Sequence, residues 1–205
     1  MSERKEHRHS HQTTYFDGET VDTGDGARGP RVRRIPSGDT IERLVCPECN
    51  FINYENPLVV VGAVVTYGDK FMLCRRSIEP RAGFWTIPAG YMELHETPMD
   101  GARREAWEEA EAEIEIDALL AIYTIPRISQ VQMIYRAELP KPVFSPGEES
   151  TEVGLFDWDE IPWNEIAFPT VHWALNHYRE IQGQDHFPPF SNPASAQLPA
   201  ISAIN

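Results

Sequence analysis

Gly90, Glu96, Arg104, Glu105, Glu108 and Glu109 bring four carboxylates, a guanidinium and a glycine into one short segment. On a helix turning about 100° per residue, Glu108 and Glu109 fall within one turn of Glu105, so three carboxylates share a face. Such a cluster repels itself unless cations neutralise it. Hard divalent ions with oxygen ligands suit it, and magnesium or manganese leaves positions open for water and substrate phosphates. The competing reading is a solvated acidic face, held by Glu–Arg neighbours and doing no chemistry.

The flanking residues favour the first reading, because they build a support for the cluster. Thr97 is a good N-cap, Pro98 suits the first helical position, and Asp100 stands three residues after the cap. The predicted helix runs from residue 98 to 112. Its adjoining face carries Ala102, Ala106 and Ala110, small enough for close packing on a sheet. Upstream, residues 85–93 read as a strand entering a tight glycine loop that delivers the chain to the helix.

With these residues placed, the chain resembles the Nudix hydrolase family, whose box reads G-x5-E-x7-R-E-u-x-E-E-x-G-u with u a bulky aliphatic. Gly90, Glu96, Arg104, Glu105, Glu108 and Glu109 match it. Two positions depart: Ala106 fills the first aliphatic slot, and Glu111 and Ala112 replace the late glycine and final aliphatic. The resemblance implies an α/β fold, a Nudix-type α/β/α sandwich around a mixed sheet. It also implies that Glu105, Glu108 and Glu109 hold Mg2+ or Mn2+, with the Ala89 carbonyl as a further ligand. Glu96 and Arg104 would pair across loop and helix and fix the glutamates in place. The implied reaction is hydrolysis of a nucleoside diphosphate linked to another group, by in-line attack of a metal-bound water.

In this family a further ligand or base often lies outside the box. Here Glu149 is the candidate, six residues before Leu155, with Glu148 and Glu152 as competitors and a flexible acidic loop as the alternative. Arg76 is the candidate for a substrate phosphate, and Arg81 reads as a surface residue. Tyr91, Tyr123, Tyr135 and Trp163 offer rings for a base, against core packing for each.

A net charge of −14 leaves no broad basic surface for general nucleic-acid binding. There is no long apolar run, so neither a membrane span nor a secretory signal is expected. Three cysteines, two of them in one Cys-x-x-Cys, make no disulfide framework, and a reducing cytoplasm is the default expectation.

Four segments are expected. Residues 1–40, with His7, His9 and His11, lack a hydrophobic period and read as disordered. Residues 41–56 hold Cys46 and Cys49, which resemble one knuckle of a zinc ribbon. Residues 57–182 form the hydrolase domain, opening on a hairpin turned at Gly68-Asp69. Residues 183–205 read as a Pro-rich tail. A closed zinc site needs four ligands, and a second pair is missing, so the knuckle reads as vestigial with free thiols. Zinc held with the N-terminal histidines or between two chains is the alternative. The half ribbon, Pro88-Ala89-Gly90-Tyr91 and Glu160-Ile161-Pro162-Trp163 resemble the dinucleotide-cleaving branch of the family. Residues 125–130 lack the run that marks its NADH pyrophosphatases, which points to FAD or ADP-ribose, with AMP and a second monophosphate as products. Alternatives are cleavage of NADH or of NAD-capped RNA, and an ADP-ribose-sensing module without catalysis. A homodimer is open, since family members often pair.

Overall fold

Leu58–Tyr67 alternates two sets of small and β-branched residues, and each set faces a different helix. In the computed structural model, which describes residues 29–194, Val61, Ala63 and Val65 of this strand join one buried cluster and Val64 joins another. A strand buried on both faces must lie inside a layered fold.

The chain divides into two units, Met1–Glu55 and Asn56–Asn205. Within the first, β1 (Val32–Arg34), β2 (Arg43–Val45) and β3 (Ile52–Asn53) form a small antiparallel sheet in the order β1-β2-β3. Residues 1–28 lie outside the described part of the chain. The expectation of disorder up to residue 40 is corrected at β1, where Val32, Arg33 and Arg34 pair with Val45, Leu44 and Arg43. All three β1 residues are exposed, so backbone pairing makes this strand without any hydrophobic period.

The second unit contains β4 (Leu58–Tyr67), β5 (Lys70–Arg76), β6 (Trp85–Thr86), β7 (Ala89–Tyr91), α1 (Pro98–Ala110), β8 (Glu115–Ile125), β9 (Gln130–Glu138), β10 (Ser150–Phe156) and α2 (Pro169–Ile181). The sheet order is β10-β5-β4-β9-β8, with β6 on β5 and β7 on β4. β4 and β9 run parallel while the other pairs are antiparallel, so the sheet is mixed. One face packs on α1 through Ala102, Ala106 and Ala110, all fully buried against Val61, Val65 and Met72. The other packs on α2, where Val171, Leu175 and Tyr178 meet Phe71, Leu73 and Trp85. This is the expected α/β/α sandwich. Ala106 in the aliphatic slot therefore lets α1 sit close to the sheet.

Helix α1 starts as its sequence predicts and ends earlier. Thr97 is extended (φ −81°, ψ 155°), its Oγ1 accepts from the Asp100 N–H at 3.2 Å, and Pro98 opens the helix. At the other end Glu111 takes a left-handed conformation (φ 46°), its N–H donating to the Trp107 carbonyl at 2.7 Å, while the Ala112 N–H donates to the Ala106 carbonyl at 3.3 Å. Paired bonds of this kind normally centre on glycine. The structure thus explains the late glycine of the box. Glu111→Gly is expected to raise stability by about 0.5–1 kcal/mol, less whatever the Glu111 bond from the Ser145 hydroxyl contributes. Denaturant unfolding at constant m-value checks it.

Residues 183–194 do more than the tail reading allows. The Phe190 N–H donates to the Leu120 carbonyl and the Ile122 N–H to the Phe190 carbonyl, each at 2.9 Å. Asn192 bonds both backbone groups of Thr124, and the Phe190 ring stacks on His177 at 4.1 Å. This segment covers the open edge of β8, which would otherwise present unpaired backbone groups. Residues 195–205 lie outside the described part.

Candidate functional site

Glu105 and Glu109, four residues apart on α1, point the same way into the protein and are only 8% and 5% exposed. Both lie on the face turned towards the glycine loop. A side chain at Gly90 would overlap the Glu105 carboxylate, so glycine makes room for it. The Ala89 N–H donates to Glu109 Oε2 at 3.1 Å. Glu108 is exposed at the rim of the same group, sharing the Arg104 guanidinium with Glu105.

Arg104 ties this group together. Its Nε and Nη2 donate to the two Glu96 oxygens at 3.1 and 2.9 Å, the fork expected between loop and helix. The same guanidinium also reaches Glu105 at 2.7 Å, Glu108 at 2.8 Å and the Tyr91 carbonyl at 3.0 Å. The Glu93 N–H adds a bond to Glu96 at 2.7 Å. Loop and helix are therefore cross-linked by one side chain. The Arg104 bond holds the Glu96 carboxyl below the usual carboxylate range.

The two inner glutamates behave in the opposite way. Burial pushes Glu109 up to about 8, opposed by the Ala89 N–H and the charge of Arg76, and reinforced by Glu105 and Glu149. Burial also raises Glu105, against the pull of Arg104, with Glu108 and Glu149 pushing the same way. Glu149 thus stands in the field of both. Glu152 instead contacts Arg75 at 3.5 Å, and Glu148 offers its carbonyl to the Ser77 hydroxyl at 3.2 Å.

This donor set fits a hard divalent cation. Glu109 is buried beside the charges of Glu105 and Glu149 with no ion pair of its own among the described residues, and carboxylate oxygens at a solvent rim match magnesium or manganese. Among the described residues, no three His, Cys, Asp or Glu side chains converge on a ligating geometry as they stand. Arg104 neutralises Glu105 and Glu108 instead, so ligation requires those carboxylates to exchange the guanidinium for the cation.

Arg76 is half-buried, with its Nε donated to the Pro80 carbonyl at 2.9 Å and its guanidinium 5.3 Å from the Phe168 ring. Its charge bears on Glu109, so the structure brings it to the cluster. Arg81 lies over Phe84. The Tyr91 ring is exposed, whereas Tyr123 and Tyr135 are buried and belong to the core, the Tyr123 hydroxyl 2.7 Å from His177 Nδ1. Trp163 packs against Trp158 and His172. Beside Arg75, a cavity of about 220 Å³ is lined by Ala82, Gly83, Phe84 and Glu165. Ser77 and Gly147, which hold the Glu149 segment, carry no sequence signal beyond their residue types.

Residues 29–55 match the Nudix N-terminal zinc-ribbon family. Among the described residues, the donors do not complete a structural zinc site. Cys46 is buried, Cys49 is exposed, and no third ligand joins them among the described residues. The Cys46 thiol donates to Glu48 Oε2 at 3.0 Å, and Arg31 holds both Glu48 oxygens. His7, His9 and His11 lie outside the described residues. Cys46→Ser is expected to leave both metal content and melting temperature unchanged, by elemental analysis and thermal unfolding; loss of bound zinc would contradict it.

Residues 56–174 match the NUDIX domain family. A MutT-like protein of Streptomyces ambofaciens is 33% identical over 102 residues, 50% of this chain and 64% of that protein, so the chain spans just under two thirds of that relative. An ADP-ribose pyrophosphatase of Methanocaldococcus jannaschii is 25% identical over 119 residues, 56% of this chain and 69% of its own. The crystal structure of a NUDIX hydrolase from Nitrosomonas europaea is similar with a TM-score of 0.73 and 49% identity, over 78% of this chain and 92% of that one. With the domain matched over more than half its length and the box glutamates gathered beside their glycine loop, the chain belongs to the Nudix hydrolase family.

Proposed function

We propose that this chain is a metal-dependent pyrophosphatase acting on a nucleoside diphosphate linked to a second group, with ADP-ribose and FAD as the leading substrates. The observation that carries this reading is the pair of buried carboxylates, Glu105 and Glu109, seated against the glycine loop, with the charge of Glu149 bearing on both and that of Arg76 on Glu109. Glu105, Glu108, Glu109, Glu149 and the Ala89 carbonyl would hold Mg2+ or Mn2+. When bound, such an ion offsets charge building on the pyrophosphate and acidifies a water molecule.

The chain's own groups have separate tasks. Glu96 and Arg104 hold the loop on the helix, which sets the spacing of the carboxylates. Arg76 would meet a substrate phosphate, its guanidinium already oriented by Pro80 and Phe168. Tyr91, exposed beside the loop, would meet the nucleotide at the rim. ADP-ribose is favoured by the Methanocaldococcus jannaschii relative, an ADP-ribose pyrophosphatase. The sensing alternative is disfavoured by the complete set of carboxylates.

AMP release from ADP-ribose, FAD and NADH, each with magnesium and with manganese, tests the reading. One dominant substrate, silent with Glu109→Gln, supports it and identifies the second group. Binding of ADP-ribose without turnover under saturating manganese would favour a sensor, and silence on all three would shift the substrate towards capped RNA.

A further inference from the structure

The last turn of a helix leaves carbonyls without helical partners, and in α1 two of them are claimed by the loop between β9 and β10. The Ser145 N–H donates to the Ala110 carbonyl at 2.9 Å, and the Gly147 N–H donates to the Glu109 carbonyl at 3.1 Å. The residue whose side chain enters the site is thus held through its backbone by the loop that carries Glu149.

The contact is possible only without a side chain. A Cβ at Gly147 would overlap the Glu108 carbonyl oxygen, lie 2.8 Å from its carbon and 3.3 Å from the Glu109 carbonyl carbon. These are backbone atoms of a helix and cannot swing aside. Gly147 is not among the residues of positive φ, so alanine suits its local conformation and the obstacle is purely the helix. From the opposite side, the Ser77 N–H donates to the Glu149 carbonyl at 2.9 Å and the Ser77 hydroxyl to that of Glu148 at 3.2 Å. The Ser150 N–H then closes back on the Gly147 carbonyl at 3.1 Å, where Ser150 is buried at the start of β10.

We propose that Gly147 is a positioning residue: its missing side chain lets the loop seat on the last turn of α1, and with Ser77 it clamps Glu149 at a set distance from Glu105 and Glu109. The inference rests on the reading of Glu149 as part of the metal site. A methyl group at Gly147 must lift the loop off the helix by an appreciable fraction of its own size. Misplacement of a functional group by about 1 Å can cost on the order of a hundredfold in rate.

Four variants test it, Gly147→Ala, Ser77→Ala, Glu149→Gln and Gly147→Ala/Glu149→Gln, assayed as the full chain for AMP release against manganese concentration, with melting temperatures. Gly147→Ala is expected to lower kcat by about 10- to 100-fold and to raise the manganese needed for half-maximal rate. The two losses should not multiply in the double variant, since the glycine acts chiefly through the placement of that carboxylate. A merely structural role would lower the melting temperature and multiply the two losses. Wild-type rates for Gly147→Ala, or multiplied losses in the double variant, overturn the proposal. Wild-type rates for Glu149→Gln overturn the reading beneath it. If Gly147→Ala does not fold, Ser77→Ala decides: a manganese-dependent loss that vanishes in the Glu149→Gln background supports the clamp, and an unchanged manganese profile overturns it.

Discussion

Glu109→Gln lowers turnover by at least about a hundredfold while the protein stays folded, the magnitude typical of losing a positioned catalytic group. The physical basis is the environment of this carboxyl. It is 5% exposed, and burial pushes it up to about 8 from an ordinary value of 4.5. Between those two values the folded protein holds a proton that the unfolded chain has lost, so metal-free stability contributed by this group falls as pH rises across that window. Glutamine is neutral throughout and keeps an oxygen for the Ala89 N–H. The metal-free variant should therefore melt no lower than wild type at pH about 8, and added manganese should raise its melting temperature less. Near-normal turnover, or an undiminished manganese shift, would contradict a ligand role for Glu109.

The second large effect is expected at Arg104. Arg104→Lys keeps a positive charge and loses the planar fork that grips both Glu96 oxygens while reaching Glu105, Glu108 and Tyr91. A lysine ammonium cannot span that set. Since the arginine orients ligands rather than touching the reacting atoms, the expected loss is about 10- to 100-fold in activity or metal affinity, the usual cost of removing a partner behind the ligands. Arg104→Ala should add a stability loss by leaving Glu96, whose side chain is 15% exposed, without its partner. Steady-state rates against metal concentration, together with melting curves, separate the two. Wild-type kinetics in Arg104→Lys would show that a point charge suffices and that the fork is incidental.

The parts of this molecule governed by local chemistry are readable from residues alone. Thr97-Pro98 starts a helix because a hydroxyl cap and a proline at the first position act within one turn. Gly68-Asp69 turns the β4–β5 hairpin for the same reason, the glycine adopting φ 59°. The spacing of Glu105, Glu108 and Glu109 likewise places three carboxylates within one turn, because helical periodicity converts spacing into direction, while the Glu96–Arg104 fork follows from the resemblance to the box.

What only the tertiary structure decides depends on partners distant in sequence. Glu108 and Glu109 are adjacent and chemically identical, yet one is exposed and the other buried, because the sheet and glycine loop cover only one side of α1. Composition cannot rank Glu148, Glu149 and Glu152. What differs among them comes from distant partners: Glu152 contacts Arg75, whereas the charge of Glu149 bears on Glu105 and Glu109. Val32–Arg34 and residues 183–194 carry no periodic signal, since each is held by backbone pairing with an edge assembled elsewhere in the chain. Local sequence determined the chemistry and spacing of the charged groups, whereas burial, which sets how strongly each carboxylate needs a counter-charge, was decided by long-range packing.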